Sequence, residues 1–205
     1  MRTCSHLWKL LRLTASISLA GLLLGACCGF REMKSCPATV NVSRKTVAIL
    51  PFTEKGVETD LSRELTVGTL ALLRANTKKA TLVEPSTIPP DLLTPKKPLD
   101  QIASALRADV VVSVDVKSFS TRPPHSIGIT RATALVSCKV YDSGKLVVLN
   151  ENWKIFYPPG TFEADFAEDE MSENVMREGL RKQVCKRIAE LFYKHKVPWY
   201  EDETF

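Results

Sequence analysis

The run Ala108-Asp109-Val110-Val111-Val112-Ser113-Val114-Asp115-Val116-Lys117 decides the fold class. Side chains alternate across a strand, so Val110, Val112, Val114 and Val116 share one face while Ser113, Asp115 and Lys117 share the other. The pattern predicts a strand with one buried and one wetter face. Just upstream, Leu99, Ile102, Ala103 and Leu106 fall at i, i+3, i+4 and i+7, the spacing of one helical stripe, and lead into the strand at Ala108-Asp109. Downstream, Arg131 to Tyr141 alternates again, with Ala132, Ala134, Val136, Cys138 and Val140 on one side. Asp142-Ser143-Gly144 supplies turn chemistry, and Lys145 to Tyr157 returns as a long strand, which predicts a hairpin.

Toward the amino terminus, Thr46-Val47-Ala48-Ile49-Leu50-Pro51-Phe52 is a short apolar run of the kind buried on both faces of a sheet. After a turn at Gly56, Thr59 and Asp60 can cap a helix that carries Leu61, Leu65, Leu72 and Leu73 on one side and stops at Asn76. Ala80 to Glu84 reads as a second strand. Five prolines in the fourteen residues from Pro85 to Pro98 exclude a regular helix or central strand and predict an extended surface loop. Beyond Pro158-Pro159-Gly160, a helix from about Asp169 to His195 is expected to pack Met176, Leu180, Val184, Ile188, Leu191 and Phe192 against the sheet. The order β-α-β-α-β-β-β-α predicts a single mixed-sheet α/β domain over residues 45–197, with its helices on the sheet and a tail at 198–205.

The 205 residues are 44% apolar and 25% charged, the composition of one globular domain rather than a disordered, collagen-like or multi-span chain. The formal charge of +5 would suggest an anionic partner, but its location matters. Met1 to Arg12 carries Arg2, Lys9 and Arg12 with no acid, and Leu13 to Phe30 then runs uncharged, the pattern of an export signal over residues 1–26. Its end, Leu24-Gly25-Ala26-Cys27, resembles the lipobox of bacterial lipoproteins, where small residues admit the peptidase beside the cleaved bond. That resemblance implies cleavage between Ala26 and Cys27, with a diacylglycerol and an N-acyl chain on Cys27 and no other cofactor. An uncleaved anchor is the alternative, because eighteen uncharged residues reach the lower limit of a bilayer span. Thr14, Ser16, Ser18, Gly21 and Gly25 dilute the stretch, and an anchor has no need of a placed cysteine. Removing residues 1–26 leaves 25 Lys+Arg against 23 Asp+Glu in 179 residues, so nucleic acid is not expected as a partner. Residues 27–44 are expected to form a flexible tether without a fold. Cys28 stands where an Asp would retain an enterobacterial lipoprotein in the inner membrane, which implies the periplasmic face of the outer membrane.

Four segments, Thr46 to Phe52, Leu61 to Leu73, Leu82-Val83-Glu84-Pro85 and Ile102 to Val112, are similar in wording to a pattern of envelope proteins. It is shared by curli-secretion (CsgG-like) lipoproteins, the activator lipoproteins of penicillin-binding proteins (LpoB-like) and the TolB amino-terminal domain. The resemblance covers roughly residues 45–150 and lies in core and turn positions, so it implies a fold rather than a site. Pore-forming members need long lipid-facing hairpins that are not inserted here. The lipopolysaccharide-assembly lipoprotein LptE is a looser likeness, through Cys27-Cys28-Gly29 and the strand start at Asp109.

Candidate chemistry is sparse. Of three histidines, His6 lies in the signal, His125 in a Pro123-Pro124-His125 loop and His195 near a helix end, where the dipole alone favours it. No HExxH, GxSxG, GxGxxG or P-loop spacing occurs, and no enzyme is expected. Glu163, Asp165, Glu168, Asp169, Glu170 and Glu173 crowd the start of the final helix without the spacing of an EF-hand, while Arg181, Lys182, Lys186, Arg187, Lys194 and Lys196 follow. This polarity complements a helix dipole, and no metal is expected. Export implies an oxidising compartment, so Cys138 and Cys185 are either two buried thiols, the favoured reading, or a disulfide across the core; Cys28 and Cys36 can also pair.

Two surfaces are candidates for partner binding: the proline segment with Lys96-Lys97, which equally suits a plain connection, and the tail with Trp199 and Tyr200, which more often folds back on its own domain. The expected function is a membrane-anchored periplasmic lipoprotein that binds another envelope protein as an assembly or activator module. The alternative is an auxiliary lipoprotein of a lipid or polysaccharide export system, similar to LptE, that contacts glycolipid. A hydrolase would need a site built from residues such as Asp115, His125 and Glu151.

Overall fold

Eleven residues from Val110 to Ser120 form the strand around which the chain is arranged. The structure is a computed structural model that describes residues 33–94, 97–121, 132–157 and 173–198. In chain order its elements are β1 (Met33–Cys36), β2 (Thr46–Ile49), β3 (Thr53–Glu54), α1 (Asp60–Asn76), β4 (Thr81–Val83), α2 (Leu99–Leu106), β5 (Val110–Ser120), β6 (Ala132–Asp142), β7 (Lys145–Tyr157), α3 (Glu173–Glu190) and β8 (His195–Pro198). Six strands make one mixed sheet of order β4-β2-β5-β6-β7, with β3 also paired to β5. The β2, β3 and β4 pairings are parallel, and β5, β6 and β7 run antiparallel to one another. The chain is thus a single mixed α/β domain with helices packed on the sheet.

The two crossovers explain the layering. From β2 the chain steps outward to β4 through α1, then back past β2 to β5 through α2, so a constant crossover hand sends the helices to opposite faces. On one face, Val110, Val112, Val114 and Val116 of β5 meet Leu65 and Leu73 of α1 and Leu180, Val184 and Ile188 of α3. On the other, Ala48, Leu50 and Val111 meet Ile102 and Ala103 of α2.

Asp109 ties the start of this arrangement together. Its Oδ2 accepts from the Thr46 N–H at 2.8 Å, its own N–H donates to the Thr46 carbonyl at 2.9 Å, and its carbonyl accepts from Ser143 N–H at 2.9 Å. One residue therefore fixes where β2, β5 and the β6–β7 turn begin. In that turn Ser143 and Gly144 both have positive φ, 48° and 93°, the two-residue geometry whose twist matches a hairpin. Thr59 caps α1 with a capping box: its Oγ1 accepts from Ser62 N–H at 3.2 Å, and Ser62 Oγ accepts from Thr59 N–H at 2.8 Å.

Several expectations are corrected. The segment expected as an unfolded tether is structured from Met33 onward: β1 pairs antiparallel with β8, Val40 N–H donates to the Leu191 carbonyl at 2.9 Å, and Val40 and Val42 are buried. Residues 27–32 lie outside the described residues. The final helix ends at Glu190, so His195 opens a strand instead of closing a helix; Leu191 and Phe192 are buried in the turn between. The proline segment is not wholly a surface loop. It winds into two short 3₁₀ turns, Pro85–Thr87 and Pro90–Leu92, and buries Ile88 and Leu92 against α2. The first strand is shorter than expected, and Thr53–Glu54 forms an additional strand on β5. Of the acidic run ahead of the last helix, only Glu173 lies within the described residues.

Gly179 of α3 sits against the ring of Tyr157, where a methyl group would overlap the aromatic carbons. Alanine gains about 1 kcal/mol over glycine inside a helix, but overpacking this contact costs about 1–3 kcal/mol. Gly179→Ala is therefore expected to lower the thermal midpoint, and Tyr157→Leu in the same background to recover part of the loss, as read by thermal denaturation.

Candidate binding surface

α1 buries Ser62, Leu65, Thr66, Thr69, Leu70 and Leu73, a stripe at i, i+3, i+4 and i+7. Three of the six carry hydroxyls, and backbone meets two of them: Ser62 Oγ donates to the Thr59 carbonyl at 3.0 Å, and Thr66 Oγ1 donates to the Ser62 carbonyl at 2.8 Å and accepts from the Phe52 N–H at 2.9 Å, while Thr69 Oγ1 is buried without a hydrogen-bond partner among the described residues. Turning that stripe inward leaves Arg63, Val67 and Ala71 outward. Val67 is 64% exposed, a β-branched apolar side chain on the crest of the helix.

Grooves lie on both sides of that crest. Between α1 and α3 a cavity of about 990 Å³ has Val67, Gly68, Ala71, Leu72 and Cys185 as its apolar lining. Between α1 and the proline segment a second, of about 480 Å³, is lined by Pro51, Leu70, Pro85, Ile88 and Leu93. Arg63 and Val67 border both. The first groove is shallow-floored because the helices approach closely at Gly68, where a Cβ would stand 2.8 Å from Cys185 Sγ.

The charges around the larger groove neutralise one another. Arg181 reaches across from α3 to Glu64 of α1 at 2.7 Å and pairs with Glu178 at 2.6 Å, and Lys182 pairs with Glu178 at 3.4 Å. The hydrogen bond from Arg181, aided by Lys182 and opposed by slight desolvation, holds the Glu178 carboxyl below the usual carboxylate range. Arg63 bonds Glu58 and Asp60, each at 3.0 Å, and its pKa is raised accordingly. A rim of internally paired charges around an apolar floor suits apolar side chains better than a highly charged polymer.

The expected site residues are placed as follows. Ala26, Cys27, Lys96, Trp199 and Tyr200 lie outside the described residues. Lys97 is folded back on its own loop, with Nζ 3.9 Å from Asp91 Oδ2. Cys138 and Cys185 are buried free thiols, so the alternative of a disulfide between them is corrected. The reason is their setting: Cys185 faces the α1–α3 seam, with Sγ donating toward the Leu65 carbonyl at 3.5 Å, while Cys138 lies on β6 beneath the helices. Burial pushes the Cys138 thiol up to about 12; it raises Cys185 too, against the opposing Thr69 hydroxyl. Among the described residues no group of three or more His, Cys, Asp and Glu is arranged to hold a metal, and no helix is long and apolar enough to cross a membrane. The crest of α1 escaped sequence reading because a single exposed valine has no periodic signature; its neighbour Gly68 was the available signal of a close helix contact.

No protein-family model matches the chain, and no curated protein matches it. Among solved structures it is similar to the hypothetical protein CT253 from Chlamydia trachomatis, with 15% identity and a TM-score of 0.46 over 72% of this chain and 94% of that one. It is also similar to the PelC dodecamer from Paraburkholderia phytofirmans, with 12% identity and a TM-score of 0.45 over 78% and 98%. A third is lipoprotein GNA1162 from Neisseria meningitidis, with 14% identity and a TM-score of 0.38 over 55% and 82%. Likenesses of this size assign neither family nor function.

The thiols offer a direct check on this packing. In the native protein at pH 8, a maleimide is expected to label the half-buried Cys36 and to spare Cys138 and Cys185 until denaturant is added, as read by peptide mass spectrometry.

Proposed function

We propose that this chain is exported, cleaved before Cys27 and lipidated there, and serves on the periplasmic side of the envelope, preferentially at the outer membrane, as a protein-binding assembly or activator module without catalytic activity of its own. The observation that carries this reading is the crest of α1, an exposed Val67 between two apolar grooves with self-compensated charges. Such a surface matches a partner that supplies apolar side chains, and anchoring raises the local concentration of a membrane-bound one. The Leu24-Gly25-Ala26-Cys27 ending and the resemblance to envelope lipoproteins support the address.

A second reading is favoured by one feature, the apolar lining of the α1–α3 groove: an auxiliary subunit of lipid or polysaccharide export would lay a glycolipid chain there. A photoreactive residue placed at the exposed Ala71 separates the two in living cells. A defined protein adduct is expected, with Val67→Glu reducing it about tenfold, the loss typical of an interface anchor. Lipid adducts alone overturn the protein-binding reading.

The anchor is tested separately. Cys27→Ser is expected to abolish lipid mass and release the protein from the membrane fraction; unchanged processing and complete membrane partition would remove the lipoprotein reading.

A further inference from the structure

The chain expected to be an eighteen-residue tether is folded after its first six, which places the domain close to whatever holds Cys27. We infer that the outward face of the β1–β8 ribbon, carrying Met33 and Lys196, together with Lys194 just ahead of β8, lies on the anionic phospholipid headgroups of that membrane. The inference rests on the lipidation of Cys27 proposed above and adds a second contact to it.

Three observations support it. The first is length: from Cys27 to Met33 the extended chain spans at most about 20 Å, so β1 cannot stand far from the headgroup layer. The second is rigidity. Met33 pairs with Pro198 and Cys36 with His195, Val197 is buried at 1% exposure, and the Val40 N–H bond to the Leu191 carbonyl fastens the following segment. The ribbon therefore orients the domain as a body rather than swivelling on it. The third is the character of the face. Along β8 the burial alternates, with His195 and Val197 inward and Lys196 outward; Lys194, two residues before Lys196, is exposed as well. On β1, Met33 is 50% exposed at the end nearest Cys27.

Lysines are suited to phosphate headgroups because the ammonium is a compact charge on a long, flexible stem. Each one near an anionic surface strengthens attachment about fivefold, an effect confined to roughly a Debye length. The acyl chains on Cys27 hold the protein at the membrane, and the charged face sets which side of the domain lies against it. Past Pro198 the sequence continues into Trp199 and Tyr200, then Glu201, Asp202 and Glu203, all outside the described residues, so the contact has to be read lysine by lysine.

The experiment uses the full processed protein in two kinds of vesicle, phosphatidylcholine alone and phosphatidylcholine with about 30% phosphatidylglycerol, whose headgroup supplies the anionic surface. An amine-reactive label read by peptide mass spectrometry is expected to modify Lys194 and Lys196 about fivefold more slowly in the anionic vesicles, while Lys139 of β6 reacts alike in both. Hydroxyl-radical oxidation of Met33 is expected to fall in parallel, and Lys194→Glu with Lys196→Glu to restore it. Equal labelling of both lysines in the two vesicles, with lipid present on Cys27 by intact mass, overturns the inference alone. A protein whose intact mass shows no lipid overturns the anchor reading and the inference with it.

Discussion

Everything in this domain hangs on the position of β5. Its first three residues, Val110, Val111 and Val112, are buried completely, which happens only when a strand has layers on both faces and neighbours on both edges. Parallel pairing to β2 and antiparallel pairing to β6 satisfy its backbone, and the two cores share it: Val110 and Val112 in one, Val111 in the other. Three exposed valines in a row would forfeit several kcal/mol of burial, about 1.5–3 kcal/mol for each side chain. The strand can therefore occupy no edge, and the chain must supply cover on each side before this run becomes stable. Asp109, at its start, aligns the neighbours that provide that cover.

From that constraint the functional surface follows. The face of the sheet with the larger core needs two helices, and α1 and α3 lie side by side over it. Two helices covering a twisted sheet leave a seam, and here the seam is held by Gly68 against Cys185 and by Arg181 bridging to Glu64. The helix crest beside the seam has no further layer over it among the described residues. Val67 is thus exposed as a consequence of how the sheet is covered, and the same geometry makes the two grooves that flank it.

Much of the architecture was legible from side-chain period alone. The alternation of β5 and β6, the turn at Ser143-Gly144 and the stripe of Met176, Leu180, Val184 and Ile188 all describe real buried faces. What escaped the sequence has physical causes. The stripe of α1 was misplaced toward Leu61 and Leu72 because the true one contains Ser62, Thr66 and Thr69, polar by composition yet buried, with Ser62 and Thr66 bonded to the preceding turn. The end of α3 was missed because no glycine or proline interrupts Leu191-Phe192, which extend the apolar pattern through a turn. β1 was missed because Met33-Lys34-Ser35-Cys36 has no hydrophobic alternation, and its partner strand lies at the far end of the chain. The candidate surface was the least legible part, since a groove belongs to two helices at once and to neither sequence segment alone. Sequence reading instead proposed a loop and a tail, and of the residues it named there Lys96, Trp199 and Tyr200 lie outside the described residues.

The pairing of residues 33–36 with residues 195–198 also joins the two ends of the described chain. Closing a contact between such distant segments carries the largest loop entropy in the domain, a cost that is lower once the sheet and helices hold the ends together. A chain still emerging from a ribosome lacks β8, and until β8 arrives β1 has no partner among the described strands. Completion of the β1–β8 ribbon therefore requires the whole polypeptide through Pro198.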